Sequence, residues 1–154
     1  TFDALNVTIS DELINIIADQ YIEYLADFNH LFDGAIEILE YLNQKYTLHI
    51  ITNGFEEIQT KKMVNANIHH YFDQVITSES VGVKKPNPKV FTHALEIAHA
   101  HKDNSIMIGD SIEADIHGAL GIGMKAIHCN FDASTISSNE FISVTSLLEI
   151  KTIL

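Results

Sequence analysis

Three stretches of this sequence carry apolar runs into side chains suited to phosphate and metal chemistry. In SIMIGDSIEAD (105–115) the run Ile106-Met107-Ile108 meets Gly109 and Asp110, and a second carboxylate, Asp115, follows five positions later. LHIITNG (48–54) ends in Thr52, Asn53 and Gly54. In GVKKPNPKVF (82–91) Lys84 and Lys85 stand immediately before Pro86. Carboxylates at a strand end suit a hard cation such as Mg²⁺, which takes oxygen ligands and keeps several waters. A lysine beside a hydroxyl, an amide and a helix N-terminus suits a phosphate. A metal-bearing carboxylate with a phosphate cradle suits phosphoryl transfer, in which positioning and charge neutralisation carry the catalysis.

Each stretch also has an ordinary structural reading. Thr52 and Asn53 can open a turn and cap the next helix. Lys84-Lys85 can be a solvated pair, and Asp110 with Asp115 can be an N-cap and a first-turn acid favoured by the helix dipole. Their arrival in chain order at successive strand ends is what points to one convergent site.

The elements that must position them alternate between strand and helix. Strands are expected at 48–54, 74–78, 105–110 and 125–130, and helices at 33–46, 55–68, about 88–100 and 112–121. A short strand and a last helix are expected in FISVTSLLEI. Asn87 and Pro88 fit the cap and first turn of the helix after the lysines, and Gly121 and Gly123 fit a helix end and tight turn. Expected inward residues are Ile36, Leu39 and Leu42 on one helix, Ile58 and Met63-Val64 on the next, then Phe91, Leu95 and Ile97-Ala98. Strands in such an alternation are parallel and buried on both faces, which explains continuous apolar runs. Residues 1–30 differ: after Ser10, Leu13, Ile16, Ile17, Tyr21 and Tyr24 recur at helical spacing, and a boundary is expected near Phe28–Leu31.

The 154 residues suit one domain, and 46% hydrophobic content supports a core. The net charge of −12 disfavours nucleic acid and anionic lipid as partners. It also requires any anion site to be positive by local construction. No apolar run is long enough to span a membrane, no signal peptide is visible, and the lone Cys129 fits a reducing compartment, with cytoplasm as the expected location. Adjacent His69-His70 point apart on a helix and are not expected to form a metal pair. His128 and Cys129 read as packed strand residues.

On these motifs the chain resembles the haloacid dehalogenase superfamily of aspartyl-phosphate hydrolases, over about 31–130. IITNG is similar to the second motif, with Thr52 as the phosphate-binding hydroxyl and Asn53 and Gly54 beside it. GVKKPNPKVF is similar to the third, with Lys85 as the phosphate-orienting lysine. IGDSIEAD is similar to the fourth, with Asp110 as the Mg²⁺ ligand and Asp115 orienting Lys85. The resemblance implies an α/β, Rossmann-like doubly wound parallel sheet for 31–154, with 1–30 the remnant of a helical cap. It further implies Mg²⁺-dependent hydrolysis of small phosphorylated metabolites. TNGFEEIQTKKM and GVKKPNPKVF look most like pyrimidine 5′-nucleotidases and related phosphatases. The alternatives are a non-catalytic binding domain on the same scaffold and carbon–halogen hydrolysis, which needs no Mg²⁺.

The superfamily's first motif, Asp-x-Asp after an apolar strand, supplies the nucleophile and the general acid/base. No apolar strand here ends that way: Asp3, Asp11, Asp19 and Asp27 lie in the opening stretch, Asp33 begins a helix, and Asp132 follows the last strand of the site. Thr1 rather than Met opens the chain. The expectation is the C-terminal part of a longer phosphatase, inactive alone. In the family sheet the missing strand is central, between the 48–52 and 105–109 strands. A further segment of chain, or another copy, is therefore expected to complete the sheet, because each unmet buried amide costs about 1–3 kcal/mol.

Overall fold

The computed structural model describes residues 4, 7–25, 27–132 and 138–154. Five strands are assigned among them: β1 (Leu48–Thr52), β2 (Phe72–Thr77), β3 (Ile106–Gly109), β4 (Lys125–Cys129) and β5 (Ile142–Val144). The α-helices are α1 (Asp11–Leu25), α2 (Ala35–Asn43), α3 (Glu56–Asn65), α4 (Ser78–Val81), α5 (Pro88–Ile97) and α6 (Gly118–Gly121). A π-helical turn, Ile112–His117, leads directly into α6, where the sequence suggests one continuous helix. The last helix is a 3₁₀ segment, Leu147–Thr152.

All pairings are parallel, as alternating strands and helices require. They fall into two groups, β1-β2 and β3-β4-β5. Among the described residues, β1 pairs only with β2 and β3 only with β4, and β1 and β3 do not pair with each other. Side chains bridge the two groups instead. One core joins Ile76 of β2 and Ile51 of β1 to Met107 of β3 and Ala126 of β4, through Val90, Phe91 and Ala94 of α5 and Ile116 and Ala119. A second core packs Ile38 and Leu42 of α2 with Ile150 against Ile127, Cys129 and Val144. Neighbouring residues Ala126 and Ile127 belong to opposite cores, as do Met107 and Ile108. Helical layers on both faces account for the unbroken apolar runs of β3 and β4.

The buried faces of several helices depart from their apolar spacing. No residue of α1 is buried, and Leu13, Ile16, Ile17, Tyr21 and Tyr24 are all exposed. Their spacing is helical, but α1 has no apolar surface to lie against among the described residues. On α2 the buried position is Ile38 beside Leu42, and Ile36 is exposed. Met63 is buried while its neighbour Val64 is exposed, because adjacent helical positions diverge by about 100°. For the same reason α5 buries Val90, Phe91 and Ala94 and leaves Ile97 exposed. The cap of α5 is as expected: Pro88 opens the helix, and Asn87 Oδ1 accepts from Lys89 N–H at 3.0 Å. Gly123 sits at φ +78°, in the left-handed region that a tight turn after α6 requires.

Candidate functional site

The carboxyl ends of β1 and β3 each deliver one polar cluster, and the loop after α4 delivers the lysine between them. Lys85 leaves its exposed neighbour Lys84 and turns inward, with its side chain 10% exposed. Its Nζ donates to Asp115 Oδ1 at 2.6 Å and to the Ile51 carbonyl at 2.7 Å. Two of the three ammonium donors are thereby directed, and one remains for a ligand oxygen.

The loop is held from β1. Asn53 Oδ1 accepts from Lys85 N–H at 2.8 Å, and Asn53 Nδ2–H donates to the Lys85 carbonyl at 3.1 Å. Ser78 Oγ–H at the end of β2 donates to the Asn53 carbonyl at 3.1 Å. Thr52 Oγ1 accepts from Gly54 N–H at 3.1 Å, a turn that folds Thr-Asn-Gly back over the strand end. The side chain of Asn53 therefore acts on the Lys85 main chain.

Asp115 is 4% exposed, and both of its oxygens are engaged. Oδ1 takes Lys85, and Oδ2 accepts from Ser111 N–H at 3.1 Å. The π-helical turn makes this possible. Ser111 carbonyl accepts from both Asp115 N–H (2.9 Å) and Ile116 N–H (3.2 Å), and Ser111 Oγ accepts from Ala114 N–H at 3.1 Å. The widened turn brings Asp115 back over the strand end, a distortion frequent at functional sites.

Asp110 is exposed and its carboxylate bonds to no other described side chain. An unengaged carboxylate beside a neutralised Lys–Asp pair suits Mg²⁺, which needs only one or two protein carboxylates. Among the described residues no group of three or more His, Cys, Asp or Glu forms a metal cage, so Asp110 would hold such an ion largely through water or with donors beyond these residues. A cavity of about 260 Å³ opens at Asp110, lined also by Phe32, Ile112, His128, Phe131 and Asp132. Phe32 and Phe131 stack across it at 4.3 Å and 17°. A larger depression of about 450 Å³, lined by Glu56, Glu57, Thr60, Lys61 and Glu79, is acidic and contains none of the predicted site residues. The buried Cys129 thiol is pushed up to about 11, by burial first and then by the nearby Asp110 and Asp115 carboxylates.

Thr52, Asn53, Gly54 and Lys85 thus form one linked cluster, and Lys85 ties it to Asp115 and the Asp110 turn. Sequence reasoning missed Ser78, Ser111, His128 and Ser143, which hold these residues in place. Only the serine immediately after Asp110 carried a signal, as a potential helix cap. His69 and His70 lie in a 3₁₀ turn, where the His70 ring packs on Tyr71 at 4.1 Å.

Parallel strands layered between helices, with a lysine–aspartate pair and a free carboxylate at their carboxyl ends, define a Rossmann-like α/β protein. The chain belongs to the haloacid dehalogenase-like hydrolase family, whose model matches residues 1–129. It is 38% identical to the glyceraldehyde 3-phosphate phosphatase of Methanothermobacter thermautotrophicus, over 60% of this chain and 41% of that protein. It is 34% identical to the pyrimidine 5′-nucleotidase YjjG of Escherichia coli, over 73% of this chain and 50% of that protein. Among solved structures, the magnesium-bound YfnB of Bacillus subtilis aligns at TM-score 0.83 and 28% identity, over 91% of this chain and 62% of that one. The chain spans about half the length of the curated relatives it matches.

Proposed function

We propose that the protein containing this chain is a Mg²⁺-dependent phosphomonoesterase acting on small phosphorylated metabolites such as nucleotides. The observation that carries the reading is the Lys85 ammonium, 2.6 Å from a buried carboxylate and clamped along its main chain by Asn53 at the opposing strand end. Lys85 and the Thr52 hydroxyl hold phosphoryl oxygens and offset their charge. Asp115 keeps Lys85 aimed, and Asp110 holds the metal. Mg²⁺, when bound, neutralises charge on the transferring phosphoryl group. The relatives named phosphatase and nucleotidase support the substrate class.

The 154 residues contain no Asp-x-Asp at a strand end, so the attacking aspartate and its acid/base partner come from outside them. In this reading a strand bearing that pair lies between β1 and β3, each of which has one edge without a strand partner among the described residues. Water then hydrolyses the aspartyl-phosphate. In this reading α1, apolar and exposed, is part of a helical cap over residues 1–30, and the protein works in the cytoplasm.

The test is hydrolysis of a generic aryl phosphate by the full-length protein, with and without chelator. Chelator-sensitive phosphate release is the expected result. Absence of release from folded, Mg²⁺-loaded protein across phosphomonoesters would sink the reading. Chelator-insensitive halide release from a 2-haloacid would replace it with carbon–halogen chemistry.

A further inference from the structure

His128 is buried in β4 with only 3% exposure, yet both of its ring nitrogens have partners. Nε2 lies 3.1 Å from the Asp110 carbonyl and Nδ1 lies 3.1 Å from Ser143 Oγ on β5. A carbonyl only accepts, so Nε2 carries the proton and donates, and Nδ1 accepts from the Ser143 hydroxyl. Phe141 meets the ring edge-on, with centroids 5.9 Å apart and planes at 86°. The Asp110–Ser111 peptide is therefore gripped at both polar atoms. His128 holds its carbonyl, and Asp115 Oδ2 holds its N–H at 3.1 Å.

We infer that His128 is a positioning residue that sets the aim of the Asp110 carboxylate through the Asp110–Ser111 peptide. This rests on the proposed reading of Asp110 as the metal-holding residue. The two bonds fix this peptide plane from both sides at the strand-to-turn junction, and with it the backbone from which the Asp110 side chain projects. The Asp110 carbonyl sets the tautomer and Ser143 anchors the far side of the ring, so the relay Ser143–His128–Asp110 carries orientation from the edge strand to the metal-holding end of β3. Partners one bond removed from a metal ligand commonly change metal affinity about 10- to 100-fold.

The experiment is Mg²⁺ titration by calorimetry on the full-length protein, with Mn²⁺ paramagnetic resonance as a second measure of binding. His128→Ala is expected to weaken Mg²⁺ binding about 10-fold or more. His128→Gln, which keeps a donor near Nε2, should stay within about threefold of wild type, and Ser143→Ala should weaken binding about two- to fivefold. The wild-type affinity in His128→Ala, or a His128→Gln as weak as His128→Ala, overturns the inference. Should His128→Ala fail to fold, the surface variant Ser143→Ala decides, and an unchanged affinity there overturns the relay. Asp110→Asn separates the two levels. If it loses Mg²⁺ while His128→Ala does not, only the positioning role fails. If Asp110→Asn binds Mg²⁺ as wild type does, the metal assignment fails and the inference with it.

Discussion

The Asn53 side chain and the Lys85 main chain bind each other at two points across 32 residues of sequence. Oδ1 takes the lysine N–H at 2.8 Å and Nδ2–H reaches the lysine carbonyl at 3.1 Å, so the amide matches a peptide edge in both polarity and spacing. This fixes where the lysine loop sits against the β1 end, and the Lys85 side chain reaches Ile51 and Asp115.

Asn53→Asp tests that match. The carboxylate still accepts from Lys85 N–H, but it faces the Lys85 carbonyl with no hydrogen to give. Turnover of the full-length enzyme on an aryl phosphate should fall about 10-fold, with KM rising, since one donor is replaced by a repulsion of about 1–3 kcal/mol. Asn53→Asp at wild-type kcat/KM would remove the clamp from the account.

Lys85→Ala leaves the Asp115 carboxylate buried with its cation gone. Breaking a buried pair from one side costs about 3–5 kcal/mol, so the denaturation midpoint should drop well below that of wild type. Losing one donor to the transferring group should lower kcat about 10²- to 10³-fold. Lys85→Ala combined with Asp115→Asn should recover part of the stability and none of the activity. Denaturant melts and steady-state rates on the full-length variants read both.

Gly109 has no room for a side chain. A Cβ there would lie 2.6 Å from both Cβ and Cγ of Asp115, so Gly109→Ala must push Asp115 off Lys85 or Ser111. Overpacking of this kind costs about 1–3 kcal/mol, and activity should fall with it. Gly121, at the end of α6, would place a methyl group in open space, with nothing within 4 Å, and serves as the control. Gly121→Ala should be neutral in the same melts and assays.

Cys129 gives a pH prediction. Its thiol is raised from the ordinary 9.0 to about 11 by burial and the nearby acids. Below pH 9 both folded and unfolded chains hold the proton, and the thiol adds no pH dependence. From pH 9 toward 11 the unfolded chain releases a proton that the folded one keeps, so stability falls as pH rises, by about 3 kcal/mol at most. Cys129→Ala should remove that fall between pH 8 and pH 10.5. Iodoacetamide at pH 8 should label Cys129 only after denaturant is added.

Residues 1–154 expressed alone should not behave as a folded monomer. β1 and β3 each have one edge without a strand partner among the described residues, and exposed strand edges recruit other chains. Size-exclusion chromatography with light scattering should find dimers or aggregates. Adding a peptide that carries the family's Asp-x-Asp strand should shift them toward a one-to-one complex. A monodisperse, cooperatively melting monomer without peptide would contradict this expectation.

The sequence by itself determined the strand-helix alternation, the parallel pairing that follows from it and the Asn87–Pro88 cap, and it singled out Thr52, Lys85, Asp110 and Asp115 as candidate site residues. These depend on local patterns: unbroken apolar runs, turn residues and acids at fixed spacing. Tertiary structure decided the rest. It split the strands into β1-β2 and β3-β4-β5, assigned Ala126 and Ile127 to opposite cores, and left α1 without a buried face. It also turned Asn53 onto Lys85, wound a π-helical turn to bring Asp115 over Ser111, and set His128 between Ser143 and Asp110. Hydrogen bonds joining residues 15–34 positions apart leave no periodicity to read. Their partners are chosen by which strand ends packing brings together, and only the folded chain makes that choice.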